Sequence, residues 1–468
     1  MKNYNKIDPD NILLLTDSYK VSHAGQYPKG TEVVHSYFES RGGDFPKVTF
    51  FGLQYFLQEY LEGQVVTAER IDQAEIILSA HFGPGFVFPR ERWEYILNEH
   101  DGRLPVKIKA VREGTAVGTH NVMLTIENTD HKCWWLTNYL ETLLVEVWYP
   151  STIASNSKAC RAIILKYLEL TGDPAGIDFK LHDFGYRGST SPESAAIGGT
   201  GHLVSFLGTD TLAAVVMAFN HYNCRMAGFS IPASEHSTIT SWGKDKEVDA
   251  FKNMLDIYPT GLVACVSDSF DIYNACSNLW GKDLRDQILN RDGTLVVRPD
   301  SGDPITVLLK CLKLLGRAFG YTTNAKGYKV LDPHVRIIQG DGIDRKAIRE
   351  ILDALMLKGW SADNLAFGSG GGLLKKFDRD TSKYAFKCSW IQVNGEGRDV
   401  YKDPITGKGK ESKPGRMALL WDEARGEHYT LTGDDADQHP DNLLRDVFVD
   451  GLMKGQQTLD EVRAISRG

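Results

Sequence analysis

No run of 18 or so uncharged apolar residues occurs in this 468-residue chain, so a membrane-spanning helix is not expected. The opening residues, Met1-Lys2-Asn3-Tyr4-Asn5-Lys6, are polar and lead into no signal-type apolar core. Cysteine is sparse. The seven (Cys133, Cys160, Cys224, Cys265, Cys276, Cys311 and Cys388) are odd in number, scattered and never spaced C-x-x-C. That excludes a disulfide framework or a zinc ribbon and fits reduced thiols in a cytoplasmic protein. A basic excess is also missing. The formal net charge of -8 argues against nucleic acid as the main partner. No G-x-x-x-x-G-K-[ST] occurs, which excludes a P-loop NTPase. Low-complexity linkers, heptad seams and short-period repeats are absent too. What remains is a composition ordinary for a folded protein, 42 % hydrophobic and 24 % charged. The length suffices for two or three domains, or for one large barrel with an elaborate second domain.

From about residue 175 to 385 one unit repeats: a short apolar run, a polar or glycine-rich cluster, then often an amphipathic stretch. Strand-like runs lie at 179–181, 203–206, 228–231, 262–266, 295–297, 335–338 and 365–367. Apolar residues at three- and four-residue spacing predict helices over 211–222, 269–280, 305–319 and 345–358. Alternating β and α units imply a parallel sheet, open or closed into a barrel, and either form collects functional groups at the strand C-termini. The flanks differ. Strands are expected at 33–38, 106–111, 122–126, 385–393 and 417–421, and helices at 67–82 and 135–147. Thr458-Leu459-Asp460-Glu461 reads as a capping box. Residues 1–150 and 386–468 are therefore expected to form one mixed α+β domain, and 151–385 an α/β domain of (β/α)-barrel type.

The run Ala366-Phe367-Gly368-Ser369-Gly370-Gly371-Gly372-Leu373-Leu374 carries the most information. A glycine-rich strand-to-helix turn aims backbone N–H groups at one spot, and a helix start adds its positive dipole end, which makes a phosphate cradle. Six other strand ends carry polar clusters. His182-Asp183-Phe184-Gly185-Tyr186-Arg187-Gly188 packs acid, base, aromatics and arginine together; a structural network is the plain alternative. Asp210 follows Gly208-Thr209 and could equally cap the next helix. In Ser234-Glu235-His236-Ser237, His236 could act as a nucleophile with Glu235 orienting it. Asp268, Asp300 and Asp341 end three strands; carboxylates gathered at one mouth suit Mg²⁺, although each could be only a turn former. Cradle, acids, arginines and aromatics together would suit a phosphorylated sugar with pyrophosphate and a flat aromatic base. A basic loop with Lys402, Lys408, Lys410, Lys413 and Arg416, and Arg379 and Lys387 upstream of it, could add positive charge near phosphate.

Together with Thr16-Asp17-Ser18-Tyr19-Lys20, Val266-Ser267-Asp268-Ser269, Arg298-Pro299-Asp300-Ser301-Gly302 and Gln339-Gly340-Asp341-Gly342, these motifs resemble the nicotinamide phosphoribosyltransferase family, in order and with similar spacing from about residue 11 to at least 455. The resemblance implies a type II phosphoribosyltransferase fold: an irregular (β/α) barrel and a homodimer with active sites at the subunit interface. It implies synthesis of nicotinamide mononucleotide and pyrophosphate from nicotinamide and phosphoribosyl pyrophosphate in NAD salvage. ATP hydrolysis would be coupled through a phosphohistidine. Carried over, Phe184 and the partner's Tyr19 would sandwich nicotinamide, Asp210 would accept from its carboxamide, and Arg298 would lie near the ring. His236 would be phosphorylated beside Glu235. Asp268 and Asp300 would hold the ribose hydroxyls, the pyrophosphate–Mg²⁺ group, or both. Gly340, Asp341, Gly371 and Gly372 would hold the ribose and its 5′-phosphate. Arg187 would reach the ring or the ribose phosphate, and Arg41, Arg379, Lys387 and Lys402 would bind phosphates. One departure is Ala264, where better-known members carry a serine that reaches the carboxamide. Alternatives are a nicotinate phosphoribosyltransferase, separable at Asp210; a non-catalytic signalling or metabolite-binding protein, which would bind without turnover; and a barrel acting on another phosphorylated sugar.

Overall fold

The computed structural model describes residues 6–407 and 411–468, so Lys408 and Lys410 of the basic loop lie outside the described residues. The chain divides into two compact units: Met1–Ser155 with His221–Asn223 and Phe377–Gly468, and Asn156–Asn220 with Cys224–Lys376. The sequence places the edges at 150/151 and 385/386. The first edge falls inside one continuous helix, Trp148–Thr171.

The second unit is built on six parallel strands: β1 Leu181–Asp183, β2 Gly208–Thr209, β3 Thr260–Val266, β4 Asp292–Arg298, β5 Val335–Gln339 and β6 Leu365–Ser369. Their spatial order is β2-β1-β6-β5-β4-β3. Segment 229–233 spans the gap between the two edge strands, with one parallel bridge to Gly208 and another to Ala264. Thr209 N donates to Phe229 O at 3.0 Å, and Ala264 N donates to Pro232 O at 2.9 Å. Pro232 has no N–H of its own to extend the ladder, so this staff of the barrel stays irregular. The fold is therefore an α/β barrel with an incomplete parallel sheet, not an open doubly wound sheet.

Side-chain alternation sorts the strands' residues. Val263, Cys265, Leu295, Val297, Val335 and Ile337 join the large core beneath the helices. Ala264, Val296 and Ile338 form a separate cluster with Phe184, Ile231 and Ala366. A period of two puts these sets on opposite faces, the second inside the barrel. The helices α1 Pro192–Leu203, α2 Leu212–Tyr222, α3 His236–Thr240, α4 Glu247–Ile257, α5 Pro304–Phe319, α6 Arg345–Leu357 and α7 Gly371–Leu374 follow strand ends or connect strands. In α5, Asp303 caps the Thr306 N–H at 2.8 Å and Pro304 takes the first turn. Val307, Leu308, Cys311, Leu312 and Leu315 then give one buried face.

Four expectations need correction. Residues 228–231 form no strand, only an isolated bridge at Phe229. Residues 203–206 are not a strand, since Leu203 ends α1. Gly198, Gly199 and Gly201 hide α1 from a periodicity reading, although Ser191-Pro192-Glu193-Ser194 is a start signal, and the structure makes a capping box there. The 179–181 run enters its strand only at Leu181, because Pro174–Phe179 is a 3-10 helix. The 269–280 helix begins at Ile272 and continues as π-helix over Ala275–Asp283.

The first unit carries a seven-stranded sheet drawn from both chain ends. Its spatial order is Glu396–Asp399, Tyr384–Val393, Thr31–Ser40, Val122–Asn128, Val106–Ala110, Arg445–Val449, Leu452–Met453, with every neighbouring pair antiparallel. The expected capping box at Thr458 opens the helix Leu459–Arg467. None of the described helices is long and apolar enough to cross a membrane.

Candidate active site

All the sequence-predicted residues of the barrel unit except those around His236 gather on one cavity of about 740 Å³ at the strand C-termini. Phe184, Arg187, Asp210, Arg298, Asp300, Gly340, Asp341, Gly371 and Gly372 line it. Phe184 begins the turn after β1, held by its N–H donating to Ser369 O at 2.9 Å. Its ring lies against the backbone of β6. A Cβ on Gly368 would fall 2.0 Å from Cε2, so only glycine leaves room for the ring. The Arg298 guanidinium sits 5.4 Å from the ring centroid, a cation–π distance. Its Nε and Nη2 donate to Asp300 Oδ1 at 3.2 and 2.8 Å. This fork leaves Asp300 Oδ2 free of any hydrogen bond among the described residues.

Asp210 accepts from the Ser230 hydroxyl at 2.5 Å, and its N–H donates to Asp183 O at 2.9 Å. Neither Ser230 nor Asp183 stands out individually in the sequence. Asp183 is fully buried and takes the Gly185 N–H at 2.7 Å on Oδ1, with the Thr211 hydroxyl beside the carboxylate. Burial raises its pKa to about 6, and the nearby Asp210 charge adds to the rise. The folded state therefore holds an extra proton between the ordinary carboxylate value and about pH 6. Stability from this group is present at low pH and is lost as pH rises through that window. Asp183→Asn should flatten this dependence, its gain over wild type growing from near zero around pH 4 to on the order of 2 kcal/mol at pH 7. Urea unfolding at both pH values reads it, and an equal difference at the two would refute the assignment.

At the glycine run, α7 starts at Gly371, two residues before the expected helix start. The first-turn amides of Gly371 and Gly372 have no acceptor within so short a helix. Lys375 and Lys376 flank the same cavity, with Lys376 Nζ 3.1 Å from Asp344. Neither lysine is among the residues expected at the site, although both closely follow the glycine-rich turn.

His236 and Glu235 form a second group on the same rim. Glu235 caps α3, and its carboxylate accepts from the Ser237 hydroxyl. His236 is half exposed, and its Nε2 lies 3.1 Å from Asp268 Oδ1. The Asp268 side chain is only 4 % exposed, and its Oδ2 takes the Asp300 N–H at 3.1 Å and the Ser301 hydroxyl at 2.5 Å. Facing a carboxylate, Nε2 is the protonated nitrogen, so the lone pair lies on Nδ1. Asp268 thus links the histidine to the Asp300 strand end. A second cavity, of about 440 Å³, shares Phe184, Asp210 and Arg298 with the first and runs into the barrel past Ala264, Val296 and Ile338. Ala264 presents a methyl group here, with no hydroxyl for a ligand.

Tyr19, Arg41, Arg379, Lys387 and Lys402 belong to the other unit. Tyr19 is 58 % exposed and meets His23 edge-on at 4.7 Å, with Lys20 Nζ 5.7 Å from its ring centroid. Arg41 Nε bonds Glu39 Oε1 at 2.7 Å, and Lys413 Nζ pairs with the same carboxylate. Lys387 has its pKa lowered, chiefly by burial, with Arg41, Arg379 and Lys20 contributing as like charges. Those cations therefore share one neighbourhood. Arg379 and Lys402 are exposed.

Comparison with known proteins gives two family matches: the Nicotinamide phosphoribosyltransferase, N-terminal domain over residues 11–108, and the Nicotinate phosphoribosyltransferase (NAPRTase) family over 179–452. A nicotinamide phosphoribosyltransferase of Xanthomonas campestris pv. campestris is 51 % identical, covering 97 % of this chain and 98 % of its own. One of Acinetobacter baylyi is 35 % identical, covering 98 % and 97 %. Among solved structures, the nicotinate-nucleotide pyrophosphorylase from Pyrococcus furiosus matches with a TM-score of 0.61 at 16 % identity, covering 100 % of this chain and 97 % of its own. Human nicotinic acid phosphoribosyltransferase matches at 0.57 and 16 %, covering 97 % and 93 %. At such identities these two support the fold alone, the type II phosphoribosyltransferase barrel. The sequence relatives go further: the chain belongs to the nicotinamide phosphoribosyltransferase family, and it is a pentosyltransferase.

Proposed function

We propose that the protein transfers phosphoribose from phosphoribosyl pyrophosphate to nicotinamide, releasing nicotinamide mononucleotide and pyrophosphate in NAD salvage, with ATP hydrolysis coupled through phosphorylated His236. One observation carries the reading. A single cavity has an aromatic seat with a carboxylate at one side, Phe184 and Asp210, and a glycine turn flanked by lysines at another. Nicotinamide stacks on Phe184, an interaction worth on the order of 1 kcal/mol beyond its buried area. Tyr19 from a second subunit covers the other face. The carboxamide NH₂ donates to Asp210. A nicotinate carboxylate there would bring no donor and would meet a like charge, with Asp183 behind it. Gly371, Gly372, Gly340, Asp341 and Arg187 hold the ribose and its 5′-phosphate. Arg41, Arg379, Lys387 and Lys402 add positive charge for phosphates.

The carboxylates fit a hard cation, because Asp300 Oδ2 has no donor among the described residues and Asp341 is exposed on the same cavity. Asp300, with Asp268, would hold Mg²⁺, which would supply charge to the departing pyrophosphate. Positive charge develops on the ribose as its anomeric C–O bond to pyrophosphate breaks and the nicotinamide ring nitrogen bonds to that carbon, and the Asp268 and Asp300 carboxylates would stabilise it. Nδ1 of His236 attacks the terminal phosphorus of ATP and ADP leaves, while Asp268 holds the proton on Nε2. Seven free cysteines, six of them buried, support a reducing, cytoplasmic setting.

Incubating the protein with nicotinamide, phosphoribosyl pyrophosphate and Mg²⁺, with and without ATP, should give mononucleotide whose yield rises with ATP. Product from nicotinate alone would overturn the base assignment. Asp210→Asn should shift the nicotinate-to-nicotinamide kcat/KM ratio at least about tenfold toward nicotinate, the value of one lost charge repulsion; an unchanged ratio removes Asp210 from base selection. A homodimer fits α2, whose Leu212, Val216 and Phe219 form an exposed apolar stripe at i, i+4 and i+7. Sedimentation should give twice the 52.2 kDa chain mass, and a stable monomer with full activity would refute the shared site.

A further inference from the structure

The barrel unit has a third cavity, of about 430 Å³, unrelated to the residues above. It lies among α5, the hairpin Tyr321–Thr323/Lys329–Leu331, and the turn after α6. The hairpin feeds the start of β5, and that turn precedes β6. The cavity therefore sits at the N-terminal ends of the strands, at the opposite end of the sheet from the glycine turn.

Its lining is one-sided in charge. Lys313, Arg317, Lys329 and Lys358 line it, and no carboxylate does. None of these four makes an ion pair among the described residues. Lys313 and Arg317 stand four apart on α5, a like-charge spacing that costs helix stability unless an anion lies between them. This occurs in a chain with a formal net charge of -8. The remaining walls are aromatic. Tyr321 and Trp360 meet edge-on at 5.7 Å, with Lys329 Nζ within 5.6 Å of both ring centroids. Trp360 is buried, while Tyr321 is half exposed and presents ring surface to the cavity.

The walls are set in place. Lys329 N donates to Gly359 O at 2.8 Å and Ser361 N to Lys329 O at 3.0 Å, tying hairpin to turn. Gly316 of α5 forms the floor. A Cβ there would stand 3.0 Å from the Trp360 ring and 3.3 Å from that of Tyr321, so the ring pair packs closely on the helix over glycine. Surface lysines are usually only solvated. A pre-formed cavity with two rings, four cations without an ion pair among the described residues and no acid is a different object, and suits a small polyanion with a flat ring.

We propose that this cavity is a nucleoside-monophosphate site, distinct from the transferase centre, with the base against Tyr321 and the phosphate among Lys313, Arg317 and Lys358. Photolabelling the full-length protein with 8-azido-AMP, followed by peptide mapping, tests it. The expected result is saturable label on peptides containing Tyr321 or residues 358–361, with AMP competing at least tenfold better than adenosine or inorganic phosphate. Lys313→Glu/Arg317→Glu, two exposed positions, should weaken that labelling at least tenfold and leave transferase turnover and any labelling of the 371–376 peptide unchanged. Label confined to the 371–376 peptide, equal competition by phosphate alone, or labelling indifferent to the double substitution would each overturn the proposal. Because peptides are scored separately, failure here is distinguishable from failure of the transferase reading.

Discussion

His236→Ala is expected to reduce ATP hydrolysis by at least about a hundredfold, the scale seen when an enzyme loses its nucleophile. A slow, ATP-independent formation of nicotinamide mononucleotide should persist. The reason is geometric. His236 touches Asp268, and Asp268 accepts from the Asp300 N–H and from Ser301, but none of these bonds holds Phe184 or Asp210. Loss of the imidazole therefore removes the phosphoryl acceptor and leaves the base seat intact. The decisive measurement is ADP release in the presence of both substrates, paired with mononucleotide formation without ATP. Retained ATPase would refute the phosphohistidine, and loss of the basal transfer would mean that His236 belongs to the base or ribose site.

Gly368→Ala is expected to raise the KM for nicotinamide about ten- to a hundredfold while leaving ATP hydrolysis without nicotinamide close to wild type. The added methyl group would stand 2.0 Å from Phe184 Cε2 and 2.2 Å from Cδ2. No side chain tolerates that, so the ring must swing away from its stacking position, at an overpacking cost of roughly 1–3 kcal/mol. Arg298 loses its aromatic partner with the ring. Steady-state kinetics in nicotinamide, with a thermal melt to record the strain, checks both parts. An unchanged KM would show that the Phe184 ring is not the base seat.

Much of this was legible in the residues. The strand runs at 262–266, 295–297, 335–338 and 365–367 are short, apolar and bounded by turn formers, and each lies within a strand of the structure. Helices α5 and α6 declared themselves through apolar spacing, and the structure adds an aspartate cap to each. Glycines and carboxylates at strand ends marked the rim, because backbone access and charge have few other uses together there. Helix α1 was not legible, since its glycines erase the periodicity. Ser230 and Asp183 were missed for another reason: a serine in an apolar run, or an acid inside a mixed motif, shows nothing of the neighbour it meets.

The order of motifs along the chain, and with it the family and the class of reaction, is a property of the sequence by itself. Local patterns suffice there, since each motif is contiguous and its chemistry resides in neighbouring residues. Only the tertiary structure decided how the expected barrel closes, through single bridges from Phe229 to Gly208 and from Ala233 to Ala264. Only it decided that Asp268 joins His236 to Asp300, that Gly368 makes room for Phe184, and that Asp183 keeps its proton up to about pH 6. Each of these depends on groups distant in sequence brought within a few ångströms, where packing, desolvation and charge act through space and leave no period or spacing along the chain to read.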